Sequence, residues 1–203
     1  MAEREPIGQV RQAQNPVPRP SSSCRHLLPA SGAKGKMLGV LAFAASLFFT
    51  PAMAQGVNPA AVAGLEGQHP AEYFRRAAAL LQAGKRDDAV FAFYFGQLRY
   101  RRHLVARPDL PKDRDAALFA SLMETVGRPI NQYAFGDIPR LSKSIDAVLA
   151  HDLKAPDNVT PKAQFPQAHD SVRAGLQKMK VEIVARRAYI RAERAKNGLP
   201  NRS

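Results

Sequence analysis

The chain has 203 residues, 45% of them hydrophobic and 23% charged, enough for one ordinary core together with a leader. Thirty Lys and Arg against 17 Asp and Glu give a net charge of +13, so electrostatics favours anionic partners. With no Trp and a single cysteine, Cys24, the composition disfavours a large carbohydrate-stacking surface and excludes CxxC redox chemistry, cysteine zinc sites and an intramolecular disulfide framework.

Residues 1–36 read as a disordered lead, or as sequence upstream of a true start at Met37, because Pro16, Pro18 and Pro20 run into Ser21-Ser22-Ser23 with no apolar pattern. Lys34 and Lys36 then flank an almost unbroken apolar run from Met37 to Thr50, which ends in Pro51-Ala52-Met53-Ala54. A basic flank, a short apolar stretch and a small-x-small terminus make residues 37–54 a secretory signal peptide, with cleavage expected after Ala54. The run falls short of the roughly 20 residues that a permanent membrane helix needs. No cysteine follows it to accept a lipid. The expected location is periplasmic or secreted, with no transmembrane anchor in the mature chain. The removed segment carries six Lys or Arg and two Asp or Glu, so the charge falls from +13 to +9. Most of that remainder lies in residues 171–203, where nine Lys or Arg face only Glu182 and Glu193.

The mature chain reads as all-α, a small bundle of about five helices. Residues 55–69, rich in Gly, Pro and Ala, form a linker. Helix one is expected over Pro70–Ala83, with Pro70 at a position that tolerates loss of its N–H and Gly84 as the stop. Asp87 and Asp88 then favour the first turn of helix two, which runs to about Leu104. Pro108 and Pro111 interrupt the pattern. Asp113–Val126 resumes it with Ala117, Leu118, Leu122 and Val126, and Gly127 is expected to end it. The stretch 128–136 reads as a loop. Asp137 caps a fourth helix that shows Ile138, Leu141, Ile145, Val148 and Leu149 on one face, so residues 70–152 form the bundle. Pro156, Pro161 and Pro166 hold residues 153–165 open as a loop. A long basic helix with an apolar stripe of Val172, Leu176, Met179, Ile183 and Ile190 fills residues 166–203 with its tail, stopping at Gly198-Leu199-Pro200. No segment carries period-two alternation with hairpin turn chemistry.

Across residues 73–96, the spacing of Tyr73, Ala77, Leu80, Gly84, Ala89, Phe93 and Gly96 resembles one tetratricopeptide repeat, a helical hairpin whose small residues let two helices approach. Arg76 and Arg101 stand where that family prefers Leu and a closing Pro, and no second copy follows at the repeat's period. The resemblance implies a hairpin geometry and, weakly, a peptide-binding role.

Helix two carries Val90, Phe91, Phe93, Tyr94, Phe95, Leu98 and Tyr100 on more than one face. It is therefore either the central core element or a partner-facing one. In the second reading Tyr94, Gln97, Arg99 and Tyr100 line a groove for another protein, joined by Asn131, Gln132 and Tyr133 from the 128–136 loop. Arg101 and Arg102 at the end of helix two, with Arg173, Lys180, Arg187, Arg191 and Arg194 on the terminal helix, are the candidate anion-binding set. His151-Asp152 and His169-Asp170 resemble the His-Asp pairs of helical metal-dependent phosphohydrolases, with only His69 and His103 as further imidazoles. Both pairs sit at expected helix ends, where Asp and His serve as caps. There is no GxSxG, P-loop or HExxH pattern, and no metal, cofactor or catalytic residue is assigned. The expected role is non-catalytic: an exported interaction protein of adaptor, inhibitor or immunity type that binds a protein or peptide. The alternative is attachment to an anionic lipid or envelope polymer through the basic terminal helix. Nucleic acid is not an expected partner of an exported chain.

Overall fold

The computed structural model describes residues 58–203, which form an all-α bundle; the expected leader and signal peptide lie outside the described residues. Helix α1 spans Ala71–Gln82 and α2 Arg86–Ala106. Gly84, at φ 75°, turns the chain between them, and the Gly84 and Lys85 amides donate to the Leu81 and Leu80 carbonyls. Only glycine adopts that left-handed conformation without strain, which is why the stop falls there. Then follow α3, Ala117–Leu122, and α4, Arg128–Ala134, with π-helical turns at Lys112–Ala116 and Met123–Gly127; α5, Ile138–Asp152; α6, Pro166–Ala185; and α7, Arg187–Lys196. No described helix is long and apolar enough to cross a membrane.

The central element is α2, in which 14 of 21 residues are buried and no apolar stripe can be distinguished from a polar one. Burial over most of its circumference explains why its aromatic residues do not follow a single face. Helices α1, α4, α5 and α6 all pack on it. Phe74 meets Phe93 edge-on at 5.6 Å and Tyr73 meets Phe95 at 5.4 Å between ring centroids. These edge-to-face pairs set the hairpin's interior. Ala77 and Ala89 are fully buried where the two helices approach. Gly96 permits the closest approach, since a Cβ there would lie 2.5 Å from Tyr73 Cβ.

Asp137 caps α5 as expected, its carboxylate accepting from the Arg140 amide at 3.0 Å, and Ile138, Leu141, Ile145, Val148 and Leu149 are all buried. The inward face of α6 carries Leu176 and Ile183, with Val172 and Met179 partly buried beside them.

Three expectations need correction. Gly127 does not end the third helix: its backbone is helical, at φ −69° and ψ −40°, and the chain continues into α4. Its role is packing, because a Cβ would lie 2.9 Å from the Phe93 ring. The stretch 128–136 is consequently mostly helix, with Pro129 in the first turn of α4. Second, the lead-in is not a bare linker from Asn58 onward. Asn58 caps a 3-10 turn, Pro59–Val62, whose Ala61 and Val62 are buried in the core. Third, the terminal helix is two helices, broken at Arg186.

Candidate functional site

The expected partner-facing edge of α2 lies inside the bundle. Tyr94, Gln97, Arg99 and Tyr100 are all buried. Because α2 is enclosed, each of these polar groups meets an internal partner. The Tyr94 hydroxyl donates to Asn131 Oδ1 at 2.9 Å, and Tyr100 donates to the Asp115 carbonyl at 3.1 Å. Gln97 Nε2 donates to Met123 Sδ at 3.4 Å, and Arg99 Nη2 to the Ala155 carbonyl at 3.3 Å. Burial raises the Tyr94 hydroxyl well above its usual range, and burial with the nearby Asp115 pushes Tyr100 up to about 12. These tyrosines are neutral structural ties.

Arg102, assigned to anion binding, is also enclosed. Its side chain is 1% exposed and grips Asp152 at 2.6 and 2.5 Å in a two-pronged pair. Asp157, from the Pro-rich loop, stands 2.9 Å from Arg99 Nη1 and 3.9 Å from Arg102 Nη1. The Arg99 contact is an ion pair off the hydrogen-bond line, so Asp157 Oδ2 and Arg99 Nη1 accept or donate no hydrogen bond among the described residues. Arg173 joins through Asp152 at 3.4 Å and the Leu149 carbonyl at 2.7 Å. The guanidinium groups of Arg99 and Arg102 on α2 thus hold the end of α5 and the loop after it, and Arg173 ties α6 to the same Asp152 carboxylate. Burial would raise the Asp152 carboxyl, but the Arg102 hydrogen bonds and the charges of Arg102, Arg99 and Arg173 hold it below the usual range.

The histidine pairs do not converge. His151 packs against Phe91 and Phe95, His169 Nε2 donates to the Thr160 carbonyl at 2.7 Å, and Asp170 is exposed. The imidazoles that do meet are His69 and His103, with Asp115 between them: His69 Nε2 lies 3.4 Å from Oδ1 and His103 Nε2 lies 3.1 Å from Oδ2. These three offer atoms close enough for a metal. Their outer hydrogen bonds oppose ligation. His69 Nδ1 accepts from the Ala71 amide at 3.3 Å, and His103 Nδ1 faces the Arg107 guanidinium at 3.1 Å. A ligating imidazole needs an acceptor at its far nitrogen, because that nitrogen must carry the proton. Here both far nitrogens face donors, which leaves the proton on each Nε2: that of His103 donates to Asp115 Oδ2, and that of His69 stands 3.4 Å from Oδ1. The cluster is a hydrogen-bonded clamp.

Burial lowers the pKa of His103, His151 and His169 from about 6.5, while the His103 hydrogen bond lowers that of Asp115 from 3.8, as Arg102 lowers that of Asp152. The unfolded chain therefore takes up imidazole protons before the fold does, and stability falls as pH drops below about 6.5. The two carboxylates contribute stability above 3.8, which is lost as pH falls through their lowered values. Urea midpoints measured from about pH 8 to 3 should decline in these two windows; a midpoint that rises between pH 6.5 and 5 would contradict the assignment.

On the terminal segment most of the expected cations are already engaged. Lys180 pairs with Asp146 at 2.6 Å, Arg173 is tied as above, and Arg194 is buried and donates to the Pro200 carbonyl at 2.8 Å. Arg187 is exposed and Arg191 half-buried, without an ion pair among the described residues. Arg101 on α2 is likewise exposed and lies over the Phe119 ring at 5.5 Å. The cationic face is thus narrower than the sequence implies, because acids from α5 neutralise part of it.

At the other end of the bundle, α4 and α7 enclose a shallow, open groove of about 620 Å³. Asn131 and Gln132, two of the expected partner residues, line it opposite Tyr189, which is 56% exposed. Phe135, Ile190 and Leu199 are among its apolar lining residues, and Glu124, Arg128 and Glu193 among its charged ones. Tyr133 is turned away: its hydroxyl donates to Asp87 at 3.0 Å and Arg202 stacks on its ring at 3.6 Å. The C-terminal strand of chain is fastened here, the Arg202 amide donating to the Gly136 carbonyl at 2.7 Å. Tyr189 carried no signal in the sequence, where it stood beside the stripe residue Ile190 and showed no partner.

The fold and this surface define a small helical bundle with its strongest ion pairs enclosed. Comparison with protein-family models, with curated proteins and with solved structures finds no match.

Proposed function

We propose that this is an exported, non-catalytic interaction protein that docks a protein partner on the α4–α7 face. The observation that carries the reading is the exposed Tyr189 ring set across an open groove from Gln132 and Asn131. An exposed aromatic side chain among apolar and charged lining residues has the composition of a protein-binding patch. The non-catalytic part is supported by the ionisable clusters among the described residues. The Arg–Asp network is enclosed, and the His69–Asp115–His103 clamp directs its protons inward. Export rests on the signal-peptide pattern of residues 37–54, and the processed chain begins at Gln55 in this reading.

Photo-cross-linking in the native host tests the proposal. A photoreactive residue at Gln132 should yield one discrete adduct whose bait chain begins at Gln55 by mass spectrometry. Tyr189→Ala should reduce that adduct about tenfold, the loss typical of an interface aromatic, with helicity unchanged. The same probe at exposed Lys162 serves as the control. Equal adducts from both positions, or an adduct indifferent to Tyr189→Ala, would reject the α4–α7 face.

A further inference from the structure

A second concavity, of about 520 Å³, opens between α2, α3 and α6 and shares no residue with the α4–α7 groove. Leu98, Leu104, Phe119, Leu176 and Met179 make it apolar, and Arg101 is its only charged lining residue. No carboxylate lines it. Gln97 and Ser171 are its other polar lining residues, and an apolar wall with a few polar groups and one charge is the composition of a small-molecule pocket. Arg101 forms no ion pair or hydrogen bond among the described residues, so its guanidinium keeps its donors for an incoming anion.

Gly175 supplies an independent observation. It lies in the interior of α6, where glycine weakens a helix, and it lines this pocket. A Cβ at Gly175 would meet nothing within 4 Å. Packing within the chain therefore does not require glycine there, in contrast to Gly96 and Gly127. Gly175 is itself exposed, so its missing side chain leaves the mouth of the pocket open.

We infer that the α2–α3–α6 pocket binds an amphiphilic anion, a free alkyl carboxylate whose chain lies on the apolar wall and whose head meets Arg101. The apolar lining supplies affinity in proportion to chain buried, and the guanidinium accounts for preference for a charged head over a neutral one.

Dodecanoate below its micellar range is the probe, with dodecanol as the uncharged comparison, and calorimetric titration of the processed protein is the measurement. Saturable one-to-one binding of dodecanoate, tighter than dodecanol by about tenfold, is expected. Arg101→Gln should remove that difference and leave dodecanol binding unchanged. Gly175→Phe should abolish binding of both, with helicity retained. Gly175→Ala should raise the thermal midpoint and retain binding, which separates filling of the pocket from damage to α6. Three results would overturn the inference: no saturable dodecanoate binding, unchanged binding in a folded Gly175→Phe protein, or equal losses of acid and alcohol in Arg101→Gln. Capture on anionic vesicles that survives Gly175→Phe would assign the interaction to the bilayer surface and overturn it as well. None of these outcomes touches the cross-link at Gln132, so the two readings fail separately.

Discussion

Replacing Arg102 by Met is expected to destabilise the protein by about 3–5 kcal/mol, the cost of removing the two-pronged partner of a buried carboxylate, to which only Arg173 at 3.4 Å remains paired. The magnitude follows from the site's enclosure. Arg102 and Asp152 are 1% and 4% exposed at the side chain, so water cannot solvate the abandoned acid. Asp157, 6% exposed and already lacking a hydrogen bond at Oδ2, loses a neighbouring cation in the same step. A chain of this size shifts its thermal midpoint roughly 2–4 °C per kcal/mol, so the loss should be about 6–20 °C. Pairing Arg102→Met with Asp152→Leu should recover part of it, because removal of both charges also removes the desolvation penalty. The two single variants and the double variant, unfolded in urea, measure the coupling. Additive losses would mean that the pair does not act as a unit. An exposed pair such as Lys196 with Glu193 offers the comparison: it is expected to contribute within about 1 kcal/mol.

Gly96→Ala should destabilise the hairpin by about 1–2 kcal/mol, against the ordinary preference of helices for alanine. Alanine gains about 1 kcal/mol over glycine in a helix interior. Against that stands a Cβ placed 2.5 Å from Tyr73 Cβ, an atom next to the α1 backbone that no rotamer change can withdraw. Helices α1 and α2 must then separate, and overpacking of this kind costs about 1–3 kcal/mol while loosening the aromatic pairs above it. Steric cost therefore exceeds propensity. Gly175→Ala meets open space and should do the opposite, stabilising α6 by up to about 1 kcal/mol. Thermal denaturation of the two variants side by side reads the sign, and a stabilised Gly96→Ala protein would show that the close approach is not needed.

These two glycines mark where local pattern is a sufficient guide and where it is not. Both are mid-helix, and only the repeat-like spacing of residues 73–96 sets Gly96 apart as a position of close approach. Gly84, by contrast, is legible, because a helix that must reverse within three residues needs a left-handed residue at its end. Gly127 looks the same in sequence and serves a different purpose, giving the Phe93 ring room while the helix continues. The same division runs through the candidate sites. Gln132 and Asn131, expected from residue type, line an open groove, although on a helix and not a loop. Tyr94, Arg99, Tyr100 and Arg102 have the same chemistry and are enclosed, since α1, α4, α5 and α6 all pack on α2.

From the sequence alone come the helical class, the cap at Asp137, the stop at Gly84, the apolar stripes of α5 and α6, and the central standing of α2 as one of two readings. Each of these is a property of residues within a turn or two of one another, and helical periodicity expresses it directly. Tertiary structure alone decided that Arg102 meets Asp152 across fifty positions, that His69 and His103 share Asp115, and that acids from α5 engage cations of the terminal segment. Charge carries no periodic signature, and a counter-ion is selected by which helices pack together, so these pairings exist only once the bundle has closed.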